Sequence, residues 1–324
     1  MEIARAQSGR AVSQISPFVR YMRRNLPIFA LMALGVIHIV MIQYMPMFGM
    51  VIAFKNYRFA DGIFGSPWVG FDNFRFLFGS KIAFQITFNT VYMNFLFIVT
   101  GTISALTLAI LLNEIYHHKL TQVYQVTLFL PFFVGAVILG YFSLALFRSD
   151  GFINTILKSL NMQPILFYME PKYWRYILVG ANLWSSIGFG TVLYLSGIIG
   201  INPEYYEAAE IDGANKLQQI FYVMIPMIRY LIVIQLLLAV GKIFTANFGL
   251  FYFVPQIYNN GQLLPVADVI DTFVFRAFRG GMSGQIVNLG MAAAAGFYQS
   301  VVGFILIVSA NFLVKKISPE NALF

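Results

Sequence analysis

The chain has 324 residues, of which 59% are hydrophobic and only 10% charged, with a mean hydropathy of +0.74. Soluble domains carry about 25% charged residues, so this composition cannot cover a water-facing surface and argues against a soluble enzyme, a disordered scaffold or a nucleic-acid module. The 21 Lys and Arg exceed the 13 Asp and Glu by eight, a surplus normal for the flanks of membrane spans and no sign of a nucleic-acid partner, while the absence of cysteine excludes disulfides, thiolate metal sites and a thiol nucleophile.

A membrane-spanning helix needs about 20 apolar residues, and six stretches qualify: 28–54, 84–112, 122–147, 174–200, 227–249 and 286–314. The fold expected is therefore an all-α membrane protein of six transmembrane helices. The first stretch is too long for a cleaved signal peptide and runs past Met45 and Pro46 without a small-residue cleavage site. Pro46 and Pro131 fall within spans, where a missing N–H kinks the helix or opens it toward a cavity. In the last span, Gly290 and Ala292–Gly296 form a small-residue face suited to close packing. Six crossings put both termini on one side. Lys and Arg counts tie, ten on either side with Lys242 left inside the fifth span, so orientation rests on the first helix, against whose start Arg20, Arg23 and Arg24 press. By the positive-inside rule the termini are assigned to the cytoplasm. The outer segments are then 55–83, 148–173 and 250–285, rich in aromatics and Gly-Pro turns, and they read as interfacial segments rather than folded units, with Trp68 and Trp174 in an aromatic belt.

The inner loop 201–226 differs from the rest of the chain. Asn202 before Pro203 is a helix-start pair, and Glu204, Glu207 and Glu210 recur every third residue, so three carboxylates share one side of a short helix. Asp212-Gly213 makes a turn, and in the next helix Leu217, Ile220, Phe221 and Met224 form an apolar stripe that ends at Pro226. Residues 201–216 hold four acids and one lysine, net −3 within a chain of net +8. Anionic lipid repels such a helix, whereas a basic pocket on a protein partner suits it; an ordinary solvated loop helix is the plain alternative.

Glu207, Ala208, Ala209, Glu210, Ile211, Asp212, Gly213 and Ala214, followed by Phe221 and Ile225-Pro226, resemble the EAA signature of permease subunits of binding-protein-dependent ABC importers. WVGFDNFRFLF before the second span, LFLPFFVGAVILG in the third, SDGFINTIL after it and the last span ending in Lys315-Lys316 resemble sugar permeases of this type, so the likeness covers about residues 20–318. It is of the six-span oligosaccharide kind found in the larger membrane subunit of the alginate importer, and lacks the extra spans and large external insertion of the maltose importer's larger subunit. The resemblance implies a basic cytoplasmic segment 1–25, a permease domain 26–318 with its coupling loop at 201–226, and a tail 319–324. It further implies a second permease subunit, two cytoplasmic ATPase subunits, an external solute-binding protein and a place in the bacterial inner membrane. By position, Glu207 would pair with a basic residue of the ATPase cleft, Ala208 and Ala209 would allow close approach, and Gly213 would set the bend.

No phosphate-binding G-x-x-x-x-G-K-[ST] run occurs: Gly241-Lys242 is followed by Ile243. The chain is expected to bind no cofactor or metal of its own, with ATP and Mg held by the partner ATPase. Ionisable groups within spans usually face a cavity, and the two candidates are His38 and Lys242. Lys242 could line the pathway, bond between helices or snorkel. Together with outer segments carrying ten bases and six acids, it fits an anionic solute, an alginate-like acidic oligosaccharide. Trp184, Tyr194 and Phe244 could stack on sugar rings, and Asn89, Asn94 and Asn182 could line the path or bond between helices. The rival reading is a secondary transporter driven by an ion gradient, which would call for acids in mid-span and inverted repeats. An intramembrane enzyme and a channel fit less well.

Overall fold

The computed structural model describes residues 21, 24–115, 117–278 and 289–317, so most of the basic segment 1–25 and the tail 319–324 lie outside the described residues. The principal helices are α1 (Leu26–Ile39), α2 (Asp72–Gly79), α3 (Lys81–Asn113), α4 (His118–Phe129), α5 (Ala136–Phe147), α6 (Phe152–Ser159), α7 (Trp174–Ile199), α8 (Glu204–Ile211), α9 (Lys216–Gln219), α10 (Arg229–Gly241), α11 (Phe248–Phe253), α12 (Ile270–Phe278) and α13 (Leu289–Ile317). Five helical stretches are long and apolar enough to cross a membrane: Leu26–Phe54, Lys81–Asn113, Ala136–Ser159, Pro171–Ile199 and Leu289–Lys316. A pair bent by 61°, Lys216–Met227 with Arg229–Gly241, brings the number to six when read as one broken span. The chain divides into two compact units, Met1–Val51 and Ile52–Phe324. In the first, α1 passes into a π-turn (Val40–Tyr44) and a 3-10 stretch that starts at Met45, next to Pro46.

In the second unit α3 and α7 pack along each other. Ser80 caps α3, its Oγ accepting from the Ala83 N–H at 3.2 Å. At 1.5 Å per residue the 33 residues of α3 run about 50 Å, well beyond the ~30 Å of bilayer hydrocarbon. The stretch 122–147 is interrupted at Pro131, where its missing N–H pointed to a kink. Pro131 cannot donate to the preceding turn, so α4 ends, a 3-10 turn covers Leu130–Phe133, and α5 starts after an extended Gly135.

The fifth span is also broken. α10 stops at Gly241, Lys242 occupies its C-cap, and the chain stays irregular until Asn247 caps α11 by accepting from the Leu250 N–H at 3.2 Å. The small-residue face of α13 packs as expected: Ala292, Ala294 and Ala295 are buried, and a Cβ on Gly290 would stand 2.5 Å from Asn73 Nδ2 and 2.7 Å from the Lys55 carbonyl oxygen.

Segment 250–285 departs from the expectation of an interfacial loop over its described residues. Leu250, Phe251, Val254, Ile257, Leu263, Ala267 and Val269 join Met93, Leu139, Trp174 and Leu178 in one buried cluster, so residues 250–278 form a folded cap. Trp174 is fully buried and donates Nε1–H to the Phe167 carbonyl at 2.6 Å, so it is a core residue and not part of a belt. Trp68 remains exposed, with the Lys55 ammonium 5.0 Å from its ring centroid. Inside the cap Asp268 pairs with Arg276 and accepts from Thr272 Oγ1 at 2.7 Å. Burial pushes the Asp268 carboxyl up to about 6 even though Arg276 and Thr272 pull it down.

Candidate functional site: the signature loop and the broken fifth span

Each half of the loop 201–226 carries its own start and stop. Asn202 Oδ1 accepts from the Glu204 N–H at 3.2 Å and opens α8, whose first turn holds Glu204 and Glu207, where the helix dipole favours acids. The helix closes with the two bonds of a Schellman turn, the Gly213 N–H to the Glu210 carbonyl at 3.0 Å and the Ala214 N–H to the Ala209 carbonyl at 2.9 Å. Gly213 has φ +81°, the left-handed region that side chains with a Cβ avoid. Asn215 and Gln218 then form a reciprocal capping box, each accepting from the other's backbone N–H, at 2.9 and 2.7 Å.

Glu204, Glu207, Ala208, Glu210, Asp212 and Gly213 are all exposed, and Ile211 beside them is 86% exposed. Among the described residues, none of these four acids has an ion-pair partner. Ala209 and Ala214 are half-buried, and Tyr206 turns inward beside a cluster of Leu112, Leu195, Ile198, Met224 and Ile228. The Tyr206 hydroxyl is buried without a hydrogen-bond partner among the described residues, and desolvation, then the Glu114 charge, raise its pKa. The stripe expected along the second helix is not buried as a unit. Ile220–Met224 form a π-turn ahead of Pro226, and while Met224 is buried, Leu217 and Phe221 point outward.

The break in the fifth span is held by side chains from three helices. Asn94 of α3 donates to the Ile243 carbonyl at 2.8 Å and the Thr245 carbonyl at 3.2 Å. Gln299 of α13 donates to the Phe244 carbonyl and to Asp271 Oδ2 at 3.0 Å, and the same Asp271 oxygen accepts from the Ala246 N–H at 2.8 Å. Backbone groups that leave a helix at membrane depth need such partners. Lys242 stands exposed at the start of the break, with no ion pair among the described residues. Asn94 thus bonds backbone at the break, and Asn89 donates to the Pro265 and Asp268 carbonyls, each at 3.0 Å, tying α3 to the cap.

The remaining candidates are dispersed. Trp184 stacks on Phe142 with centroids 5.6 Å apart and lines a cavity of about 460 Å³ with Leu139, Ser143, Tyr176 and Gly180. Tyr194 is 3% exposed and packs in the cluster beneath the loop, so it faces no open space here. His38 is exposed on α1. Within the second unit, Lys242 and Asn94 therefore meet at one locus, while Trp184 and Tyr194 do not join it. Asp271 and Gln299 were missed: the one was counted among outer-loop charges and the other was a lone polar residue in the last span. A carboxylate two residues after Val269 in a segment with buried apolar periodicity was the available signal.

The model of the family described as "Binding-protein-dependent transport system inner membrane component" matches residues 97–319. The chain belongs to this family. Protein LplB of Bacillus subtilis is 31% identical over 93% of this chain and 92% of its own length. The polygalacturonan/rhamnogalacturonan transport system permease protein YteP of the same organism is 32% identical over 89% of this chain and 87% of its own. A solved bacterial ABC transporter involved in import of the acidic polysaccharide alginate contains a chain that superposes with TM-score 0.82 at 27% identity, covering 93% of this chain and 99% of that one. A second structure of a bacterial alginate ABC transporter, in complex with an alginate pentasaccharide-bound periplasmic protein, matches with TM-score 0.81. The chain is thus a permease component of a sugar ABC importer, a transport subunit of multi-pass membrane character.

Proposed function

We propose that this permease forms, with a second permease subunit, the translocation pathway for an acidic oligosaccharide, and that it takes its driving force from cytoplasmic ATPase subunits docked on the loop 201–226. The observation that carries this reading is the loop: an eight-residue helix with both ends closed by its own hydrogen bonds, presenting Glu207, Ala208, Glu210 and Ile211 to solvent while the half-buried Tyr206 anchors it to the bundle. A rigid knob with an exposed apolar tip and free carboxylates fits a basic cleft. Both termini then lie in the cytoplasm of a cell whose inner membrane holds the protein, and an external binding protein delivers the sugar to the other face. ATP and Mg stay with the ATPase. When the ATPase closes, the loop is pushed and the helices tilt, so that access passes from one side to the other.

Two features support an acidic sugar. The segments assigned to the outside carry ten bases and six acids, a surplus of four positive charges, and the pairing of Asp72, Asp150, Glu170 and Asp268 with Arg75, Arg148, Lys172 and Arg276 leaves that surplus unchanged. The aromatic wall of Trp184 and Phe142 offers a stacking surface for pyranose rings, and Lys242 offers a cation at the broken span. The names of YteP and the alginate importer chains point to uronate polymers. Uptake of labelled oligogalacturonate and oligoalginate by proteoliposomes holding the whole importer tests this. ATP-dependent accumulation of either supports it, and accumulation of only neutral oligosaccharides refutes the acidic part.

A further inference from the structure

The joint between the loop and the second span is only half made. Glu114 is the C-cap of α3 and Lys216 the first residue of α9, so an acid sits at the negative end of one helix and a base at the positive end of another. Glu114 is unfavourably placed at the negative end of α3, and Lys216 offers it an opposite charge across the joint. Yet Lys216 Nζ stands 4.0 Å from Glu114 Oε2, beyond the 2.7–2.9 Å or so of a charge-assisted hydrogen bond. Both line an open cavity of about 310 Å³, together with Tyr206, Gln219 and Met224. The Tyr206 hydroxyl is buried beside it with no acceptor among the described residues. Two donors on the loop and one carboxylate on the longest helix therefore line one open space into which the donors can move.

We propose that Glu114 is a positioning residue for energy coupling: it is the acceptor onto which Lys216 and Tyr206 close when the loop is driven toward the bundle, so that the thrust on α8 reaches α3 through a hydrogen-bonded joint. The proposal rests on the docking of the loop by an ATPase and adds the path by which the motion enters the second span. In the resting arrangement the joint is slack, with the cavity open. In the driven arrangement the cavity collapses and the buried hydroxyl gains its partner.

The chain has no native cysteine, so Glu114→Cys with Lys216→Cys introduces the only thiols of this subunit into an importer whose other subunits are rendered cysteine-free. Disulfide yield is expected to rise at least threefold on trapping with ATP and vanadate relative to the nucleotide-free state, and an equal or lower yield would overturn the proposal. In parallel, Glu114→Gln and Tyr206→Phe are expected to lower the ratio of hydrolysis stimulated by oligouronate-loaded binding protein to basal hydrolysis by fivefold or more. Glu114→Asp, which keeps a carboxylate acceptor, should retain at least half of that ratio, whereas Glu114→Lys combined with Lys216→Glu should not, because an ammonium accepts no hydrogen bond from Tyr206; recovery in the exchanged pair would show a merely structural ion pair. A normal ratio in both Glu114→Gln and Tyr206→Phe would sink the idea. Glu207→Lys separates the layers: if it uncouples while Glu114→Gln and Tyr206→Phe do not, docking stands and the joint falls, whereas normal coupling in Glu207→Lys removes the docking itself.

Discussion

Replacing Gly213 with proline strikes the loop at its least tolerant point. Gly213 holds φ at +81° and its N–H bonds the Glu210 carbonyl at 3.0 Å. Proline fixes φ near −65° and has no N–H, and it disfavours the near-helical conformation that Asp212 adopts at φ −74° and ψ 2°. Alanine alone in the left-handed region costs about 1–2 kcal/mol. Proline adds the lost hydrogen bond, about 1 kcal/mol, and the displaced residue before it, for a sum of about 3 kcal/mol or more. An eight-residue helix has no stability of its own to absorb this, since isolated helices below about 12 residues are marginal in water. Nothing packs against Gly213 itself, so the spans stay folded. The assay is ATP hydrolysis by the purified importer with and without loaded binding protein, alongside its thermal unfolding midpoint. Gly213→Pro should abolish stimulation and Gly213→Ala should reduce it, both with an unfolding midpoint within a few degrees of the parent. Full stimulation in Gly213→Pro would refute the claim that the loop's bend transmits work.

Three other outcomes follow from particular contacts. Asn94→Leu strips two carbonyls at the break of their donor, and with about 0.6–2 kcal/mol per bond in membrane proteins it should lower the importer's unfolding midpoint measurably in detergent; an unchanged midpoint would show that the break needs no staple. Lys242→Ala should weaken uptake of oligouronates at least severalfold while leaving that of a neutral oligosaccharide, if any is carried, unaffected, and equal loss for both would remove the electrostatic argument. Asp268 is held up to about 6, above its unfolded value of 3.8, so the folded cap binds the proton more tightly than the unfolded chain. Stability is then full below pH ~4 and falls as pH rises through 6, by at most about 3 kcal/mol. Amide exchange over residues 264–278, corrected for intrinsic rates, should be slower at pH 4.5 than at 7.5, and the opposite order would refute it.

The parts of this architecture that are written locally were legible in the sequence. Asn202-Pro203, the three glutamates, Asp212-Gly213 and Pro226 each act over a few residues, and the structure places a helix, a left-handed turn and a helix break there. Long apolar stretches likewise mark spans, because length and hydropathy are properties of the segment itself. What escaped depends on distant partners. Residues 250–278 have the aromatic, turn-rich composition of an interfacial loop, but α3 and α7 supply the surfaces that bury them, so Trp174 and Phe251 became core. The break after Lys242 hides among Ile243, Phe244 and Ala246, and it is tolerable only because Asn94, Asp271 and Gln299 arrive from elsewhere in the chain. A π-turn over Ile220–Met224 breaks the 3.6-residue period that the spacing assumed, and Leu217 and Phe221 are exposed while Met224 is buried.

The central claim is that the acidic loop is where a separate motor pushes this subunit, and crosslinking addresses it most directly. With a photoreactive residue at Ile211, 86% exposed at the tip of the loop, irradiation of importer in native membranes should join this chain to the nucleotide-hydrolysing subunit. An adduct to an external protein, or irradiation that yields none while the complex is intact, would contradict the account.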